Sequence, residues 1–292
     1  MTGVQTCALP ISDLVHDLCQ EALYPAHPLG REVLGERSTI TAMNRDQIRD
    51  YWAAYYRPQS IVVAGAGGID HDELVAGVEK RFAGPEGAGP PRSPLPLGPP
   101  VPLRVDNRST EQAHLVVGMR AGARDDEDRF ALAVLNQLLG GGMSSRLFQE
   151  VREKRGLAYS VYSYRGAYLE TGMLAVYAGT SPARAHTVLG LINTELDRLL
   201  QDEIPVRELD VARGHVKGSV VLSLEDSSSR MSRNGRSQLV HNDVMTIAEL
   251  VARTEAVTAA DVRRVIEKVV TGPRSLAVVG PFDESAFADQ VA

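Results

Sequence analysis

Residues 57–65 read Arg-Pro-Gln-Ser-Ile-Val-Val-Ala-Gly, and residues 272–280 read Gly-Pro-Arg-Ser-Leu-Ala-Val-Val-Gly, an offset of 215. In both, a turn-forming proline precedes a short apolar run that is typical of a buried strand. The segments just before them also match, because residues 42–49 align with residues 256–263 at an offset of 214 and both have helical spacing. We interpret this as a duplicated α/β unit. Chance resemblance of two helix–turn–strand segments is the alternative.

The second copy runs from near Val105 to Gly280, whereas the first ends at Gly65. About 110 or more residues of the first copy are therefore expected to lie upstream of the chain. The sequence alone indicates an α/β or α+β class.

Composition excludes several classes of protein. The chain has 292 residues, of which 43% are hydrophobic and 23% charged, as in a folded protein of one or two domains. A net charge of −6 without a basic block argues against binding nucleic acid or anionic membrane. No apolar run approaches the roughly 18 residues of a membrane span. Cys7 and Cys19 cannot form a disulfide framework.

The N-terminus does not look like part of the fold. Residues 1–11 lack the positive region of a signal peptide and resemble the translation of a sequencing-library adapter. Residues 1–12, with Cys7, are therefore predicted to be an artefact, and the natural sequence to enter near Ser12. A short natural N-terminus is the alternative. With the incomplete repeat, this suggests a C-terminal fragment of a longer protein.

A segment rich in proline and glycine, residues 84–102, predicts a semi-rigid linker. Residues 13–83 then form the remainder of a first α/β domain, and residues 103–292 form a second domain. A ligand for a proline-recognising module is the alternative interpretation of the linker.

Periodicity and capping signals predict the individual elements. Before the linker we expect helices over Asp13–Leu23 and Arg45–Tyr56, a strand over Ser60–Ala64, and a helix with a capping box formed by Asp70 and Glu73. The strands predicted after the linker are His114–Met119, Leu157–Tyr164, Gly172–Ala178 and Leu276–Val279. The helices predicted there are Glu127–Leu139, Ser145–Arg155 ended by Gly156, Pro182–Leu200, Val206–Leu224 and Ala259–Val270.

Several apparent motifs fail. Gly65-Ala-Gly-Gly-Ile-Asp70 resembles a dinucleotide fingerprint, but Asp70 replaces the third glycine. Gly142-Met-Ser144 resembles a nucleophile elbow, but Arg146 stands in place of the closing glycine. The side chains of residues 71–73 (His-Asp-Glu) would point to different faces of a helix, and His27 lies in a loop where a structural role is expected. The sequence contains no zinc motif.

One constellation remains. Residues 145–160 read Ser-Arg-Leu-Phe-Gln-Glu-Val-Arg-Glu-Lys-Arg-Gly-Leu-Ala-Tyr-Ser, which places Arg152 late in a helix and Tyr159 at the start of a strand. This segment resembles the pitrilysin and insulinase family of zinc metallopeptidases, which includes mitochondrial processing peptidases. Residues 24–31, 224–233 and 275–281 carry the same resemblance in the same order, and the actinobacterial branch is the most similar.

The resemblance implies an α+β fold of two duplicated units joined by a linker, which close as a clam-shell around a peptide. It implies zinc on an inverted His-x-x-Glu-His helix of the first domain, and an Arg and a Tyr seven residues apart that hold the peptide. Arg152 and Tyr159 match that pair and are predicted to bind substrate. The zinc motif has no counterpart here and is expected about 80 residues before Met1. Without the resemblance, Arg152 could simply pair with Glu150, and Tyr159 could be a core residue.

The predicted function is that of a fragment of a zinc-dependent metalloendopeptidase, with no catalytic residue and no metal ligand of its own. The alternative is a non-catalytic Arg/Tyr-bearing partner subunit of a heterodimeric peptidase, and a dinucleotide-binding enzyme built on Gly65–Asp70 is a weaker third. The expected partners are a peptide or unfolded protein and, by the resemblance, a second homologous subunit in a homodimer or heterodimer. A cytoplasmic location is expected, without binding to nucleic acid or membrane.

Overall fold

The computed structural model describes residues 11–82, 84, 87 and 89–290. Its described part contains one five-stranded sheet, in the order β1-β5-β2-β4-β3. Strands β1 and β5 are parallel, and the other neighbours are antiparallel. The strands are β1 Leu103–Asn107, β2 Ala113–Ala121, β3 Ala158–Ala167, β4 Gly172–Thr180 and β5 Arg274–Gly280. Strand β3 thus forms one edge of the sheet.

Helices occupy most of the remaining described chain. They are α1 Ile11–Leu23, α2 Arg37–Ala42, α3 Arg45–Tyr55, α4 His71–Arg81, α5 Arg129–Gly140, α6 Ala185–Gln201, α7 Val206–Ser223, α8 Ser227–His241, α9 Ile247–Glu255 and α10 Ala259–Val270. No helix in the described part of the chain is long and apolar enough to cross a membrane. This mixture of helices with a largely antiparallel sheet confirms the predicted α+β class.

The main core lies on one face of the sheet, against α5, α6 and α10. Each of these helices is amphipathic, so a single apolar stripe faces the strands. Leu135 of α5, for example, is fully buried. Burial of a leucine on this scale contributes about 2 kcal/mol to stability.

Helix α1 covers the opposite face of the sheet. It approaches β2 closely at Gly118, where a Cβ atom would lie 2.5 Å from Cys19 Sγ. The Tyr24 hydroxyl, just after the helix, donates to the carbonyl of Gly172 at 2.8 Å. Arg120 of β2 donates to the carbonyl of Leu23, the last residue of the helix. The central strands β2, β4 and β5 are therefore buried on both faces, which explains the nearly continuous apolar runs of β2 and β4.

The chain divides into two compact units. One comprises the described residues up to Val33, with Leu95–Val216 and the described residues from Ala256 onward. The other comprises the described residues of Leu34–Pro94 together with Lys217–Glu255. These units are discontinuous along the chain, whereas the predicted domains 13–83 and 103–292 follow its duplicated halves. The domain boundaries therefore stay a prediction.

The duplicated segments share one local feature. Asn44 caps α3 in a capping box with Gln47, and Thr258 caps α10 in a capping box with Asp261. The two boxes lie at equivalent positions, because Asn44 and Thr258 are 214 residues apart, and so are Gln47 and Asp261. Helix α10 spans the residues predicted for it, and α3 differs by one residue.

The strand predicted over Ser60–Ala64 is wrong. Pro58–Ser60 forms a 3-10 turn, and residues 61–66 lie in neither a helix nor a strand and pair with no strand among the described residues. In the second copy, β5 pairs with β1 on one side and with β2 on the other. An apolar extended segment becomes a strand only when neighbours satisfy its backbone groups.

Two further predictions concern the linker and the N-terminal residues. The described residues of the 84–102 linker contain no helix or strand, as predicted, although the Val101 amide donates to the carbonyl of Ala22. The predicted artefact lies outside the described residues apart from Ile11 and Ser12, which begin α1.

Candidate functional site

A tight connection brings Arg152 and Tyr159 together. The helix predicted over Ser145–Arg155 ends in a π-helical segment, Phe148–Glu153, and β3 begins five residues later. The Gly156 amide donates to the carbonyl of Arg152, and the Leu157 amide to that of Val151, both at 3.0 Å. The helical segment ends at Glu153, two residues before the predicted Arg155, and Gly156 follows in the left-handed region with a φ of 59°, which glycine adopts at no steric cost.

A β-bulge aims the side chain of Tyr159. Ala158 pairs with Thr180 and Ser160 pairs with Gly179, so Tyr159 is an extra residue between them. A bulge bends its strand locally and redirects a side chain. The Tyr159 side chain is 83% exposed, which rules out the core position left open above.

The guanidinium of Arg152 lies between two aromatic rings. Its carbon is 4.8 Å from the centre of the Phe148 ring and 4.7 Å from that of Tyr159. Such stacking uses the faces of the guanidinium and leaves its in-plane N–H groups free for a ligand. Among the described residues, only the Glu153 carboxylate forms an ion pair with Arg152, at a loose 3.8 Å.

Glu150, the alternative partner of Arg152, is occupied elsewhere. Its carboxylate contacts Lys154 and accepts from Arg155. Hydrogen bonds from these two side chains lower the pKa of Glu150, so the carboxylate stays ionised at neutral pH. The Arg184 guanidinium also reaches this corner, donating to the carbonyl of Gly156 at 2.9 Å. A second guanidinium, that of Arg184, therefore lies at the turn that connects Arg152 to Tyr159.

Arg146 anchors the start of this segment. Its guanidinium forms a bidentate pair with Glu208 of α7, with N–O distances of 2.7 and 2.8 Å. The hydrogen bonds from Glu208 raise the pKa of Arg146 above its usual range. Bidentate pairs fix orientation as well as charge. The π-helical segment is thereby held against α7.

The motifs set aside in the sequence have structural roles. The Asp70 side chain caps α4 by accepting from the Glu73 amide, which is half of the predicted capping box. His27 accepts from the Leu29 amide in a 3-10 turn, and the Ser145 hydroxyl donates to Gly142 in the glycine turn. Nowhere in the described ranges do three or more His, Cys, Asp or Glu side chains come together as metal ligands.

A histidine–tyrosine cluster that no sequence pattern predicts lies beside the edge strand. His16 of α1 contacts Tyr162 and Tyr164 of β3, and His114 contacts Tyr177 of β4. These partners are 63 to 148 residues apart. No local pattern could have joined them, because only the strand register and the docking of α1 bring them together.

Comparison with known proteins gives consistent results. The family described as "Peptidase M16 inactive domain" matches residues 42–214. An uncharacterized zinc protease of Streptomyces coelicolor is 42% identical over 283 residues, covering 93% of this chain and 61% of that protein. One of Bacillus subtilis is 38% identical over 269 residues, covering 92% of this chain and 66% of that protein. The chain thus spans roughly three fifths to two thirds of the length of these curated relatives.

Solved structures with the same fold include a protease from Helicobacter pylori, with a TM-score of 0.80 and 21% identity over 93% of this chain and 67% of that one. A peptidase M16 inactive domain from Pseudomonas fluorescens gives a TM-score of 0.78 and 22% identity, over 93% and 66%. At such identities these structures show the fold alone. The family match and the zinc-protease relatives confirm the resemblance to zinc metallopeptidases: the chain belongs to the peptidase M16 family.

Proposed function

We propose that this chain holds extended peptides for a zinc-dependent endopeptidase, through Arg152 and Tyr159. The observation that carries the proposal is the stack of the Arg152 guanidinium on the exposed ring of Tyr159. Guanidinium N–H groups and a phenol O–H are donors that persist at neutral pH. Aimed at a peptide carbonyl, they stabilise negative charge that develops on its oxygen during hydrolysis.

The position of the pair on the sheet supports the proposal. Tyr159 lies at the start of β3, and no described strand pairs with the outer edge of β3. An extended peptide could align with such an edge through main-chain hydrogen bonds, which tolerate many sequences. The substrate class that fits is therefore an unfolded segment of polypeptide, recognised through its main chain and not through a particular side chain.

Zinc is implied by the names of the relatives, but the residues described here do not fit a zinc site. None of their His, Cys, Asp and Glu side chains form a group of three or more that could hold a metal. The part in hydrolysis proposed for this chain is thus confined to binding and orienting the peptide. Activation of water is assigned to a part of the parent protein that carries the metal.

A partner subunit without catalytic residues would use the same Arg152–Tyr159 geometry. The sequence of the upstream gene separates the two possibilities. A His-x-x-Glu-His motif about 80 residues before Met1 favours the peptidase, and its absence favours the partner subunit.

The direct test measures kcat/KM of the longer parent protein on an unstructured peptide. Arg152→Ala is compared with Arg155→Ala, a matched control because Arg155 is a nearby arginine that pairs with Glu150. The proposal expects a large loss for Arg152→Ala and little change for the control. Equal activity of the two variants would refute it.

A further inference from the structure

His16 lies where a helix and three strands meet. Its Nδ1 is 2.6 Å from the hydroxyl of Tyr164, and its Nε2 is 3.3 Å from that of Tyr162, both on β3. The ring of Tyr177 on β4 lies 5.2 Å from the imidazole. The Tyr177 hydroxyl is in turn 2.8 Å from Nδ1 of His114 on β2. One imidazole of α1 therefore connects the helix directly to the edge strand.

These contacts suit a neutral imidazole. A neutral ring has one N–H donor and one nitrogen acceptor, so in either tautomer one phenol accepts and the other donates. An imidazolium has two donors and no acceptor, so both phenols must then accept, and the phenol O–H that had donated to the ring loses its acceptor. Protonation of His16 thus reverses one of the two hydrogen bonds between β3 and α1 and places a positive charge in a half-buried cluster of aromatic rings.

The surroundings of His16 decide which form is favoured. Burial lowers its pKa, the nearby Asp13 carboxylate partly opposes this, and His114 lowers the pKa further. Burial also lowers the pKa of His114 itself. The groups that face this cluster are Asp13 and Asp17 on α1, His114 on β2, Tyr162 and Tyr164 on β3, and Tyr177 on β4.

The tyrosines do not titrate near neutral pH. Burial raises the pKa of Tyr162 and Tyr164, and it raises the pKa of Tyr177 to about 12. Because the tyrosines stay neutral, Asp13 is the group that favours the charged imidazole. Its effect on the pKa of His16 is smaller than the opposing effect of burial.

We propose that His16 is a positioning residue, whose neutral ring fastens β3 to α1 and whose protonation in mildly acidic solution loosens both elements. Since the docked form disfavours the proton, the undocked form binds more protons, and docking gains stability with rising pH. Docking is fully favourable above the ordinary histidine pKa of 6.5 and weakens as the pH falls through it. Tyr159 precedes Tyr162 by three residues on β3. Peptide holding, which rests on the function proposed above, should weaken over the same range.

The test measures hydrogen exchange of this 292-residue chain at about pH 7.5 and about pH 5.5, corrected for intrinsic exchange rates. His16→Gln keeps a donor and an acceptor without a titratable charge. His186→Gln is the control, because His186 stacks on Phe287, outside the cluster. In the wild type and the control, α1 and β3 should lose protection severalfold at the lower pH. In His16→Gln they should not.

Binding of a dye-labelled unstructured peptide is followed in parallel by fluorescence anisotropy. Equal protection of α1 at both pH values overturns the proposal. A loss of protection in α6 as large as that in α1 and β3 also overturns it, because it would indicate global unfolding. If His16→Gln does not fold, NMR titration of the wild-type chain decides, and a His16 pKa at or above 6.5 overturns the proposal. If no peptide binds at either pH while α1 and β3 loosen, the proposed function fails and the positioning role stands. If peptide binds equally well at both pH values while they loosen, the link to Tyr159 is wrong.

Discussion

The guanidinium carbon of Arg152 lies 4.7 Å from the centre of the Tyr159 ring, although a change from helix to strand separates the two residues. The stack fixes the direction of both side chains at once. Each is therefore expected to lose its position when the other is truncated, and the effects of the two substitutions should not add.

Arg152→Ala should reduce kcat/KM of the longer parent protein by about 100-fold or more, because it removes charge-assisted donors from the site. Arg152→Lys should recover only part of this loss, since an ammonium keeps the charge but not the planar fork. Steady-state kinetics on one unstructured peptide checks both variants. Full activity of Arg152→Lys would mean that only charge matters.

Tyr159→Phe should have a smaller effect, about 10- to 100-fold in kcat/KM, because it deletes one hydroxyl donor and keeps the ring under Arg152. Tyr159→Ala should be worse, since the guanidinium then loses the stack as well. If the Phe and Ala variants proved equally impaired, the ring would contribute nothing and the hydroxyl everything.

Gly156→Ala should destabilise the chain by about 1 kcal/mol, because the left-handed backbone at this position strains any residue with a Cβ atom. No heavy atom beyond the neighbouring residues lies within 4 Å of a Cβ built there, so the cost comes from the local backbone and not from packing against the rest of the chain. Gly190→Ala is the matched control. That residue lies inside α6 with equally open surroundings, and its substitution should stabilise by roughly 0.5–1 kcal/mol. Urea denaturation of both variants gives the comparison.

Local signals predicted some elements well and others not at all. Helix α10 has both a capping box and an apolar stripe, and its bounds are as predicted. Helix α8 was missed, because its serines, arginines and glycine form no apolar stripe and none of its residues is buried. The strand predicted at Ser60–Ala64 failed for a different reason, since pairing depends on distant segments.

The candidate site, too, could be predicted from the sequence only in part. The family resemblance of residues 145–160 singles out Arg152 and Tyr159, and their spacing alone would not have done so. The bulge that exposes Tyr159 depends on the register of β3 against β4, which periodicity does not encode. The contact between His16 and Tyr164 spans 148 residues and depends on the docking of α1.

Self-association of the isolated chain is a further prediction. Leu34–Pro94 belongs to a unit that exposes large apolar side chains, among them Trp52 at 59% and the unpaired residues 61–63. Exposed apolar surface of this kind favours association. Multi-angle light scattering should show oligomers that increase with concentration. Trp52→Ser should reduce them, whereas Met143→Ser, an exposed residue of the other unit, should not. A stable monomer would contradict this prediction and weaken the interpretation of the chain as a fragment.

The last prediction concerns zinc and turnover by this 292-residue chain. Hydrolysis of a peptide needs an activated water, which a zinc enzyme generates at a metal held by three protein ligands. No such group exists among the described residues, and the donor roles proposed for Arg152 and Tyr159 need no metal. The chain should therefore neither bind zinc stoichiometrically nor cleave an unstructured peptide with zinc added, while still binding that peptide through Arg152. Equilibrium dialysis measures the zinc, and Arg152→Ala against Arg155→Ala separates specific peptide binding from charge attraction. Turnover that a chelator abolishes would show that ligands exist in this chain, and the assignment of water activation to another part of the parent would have to be given up.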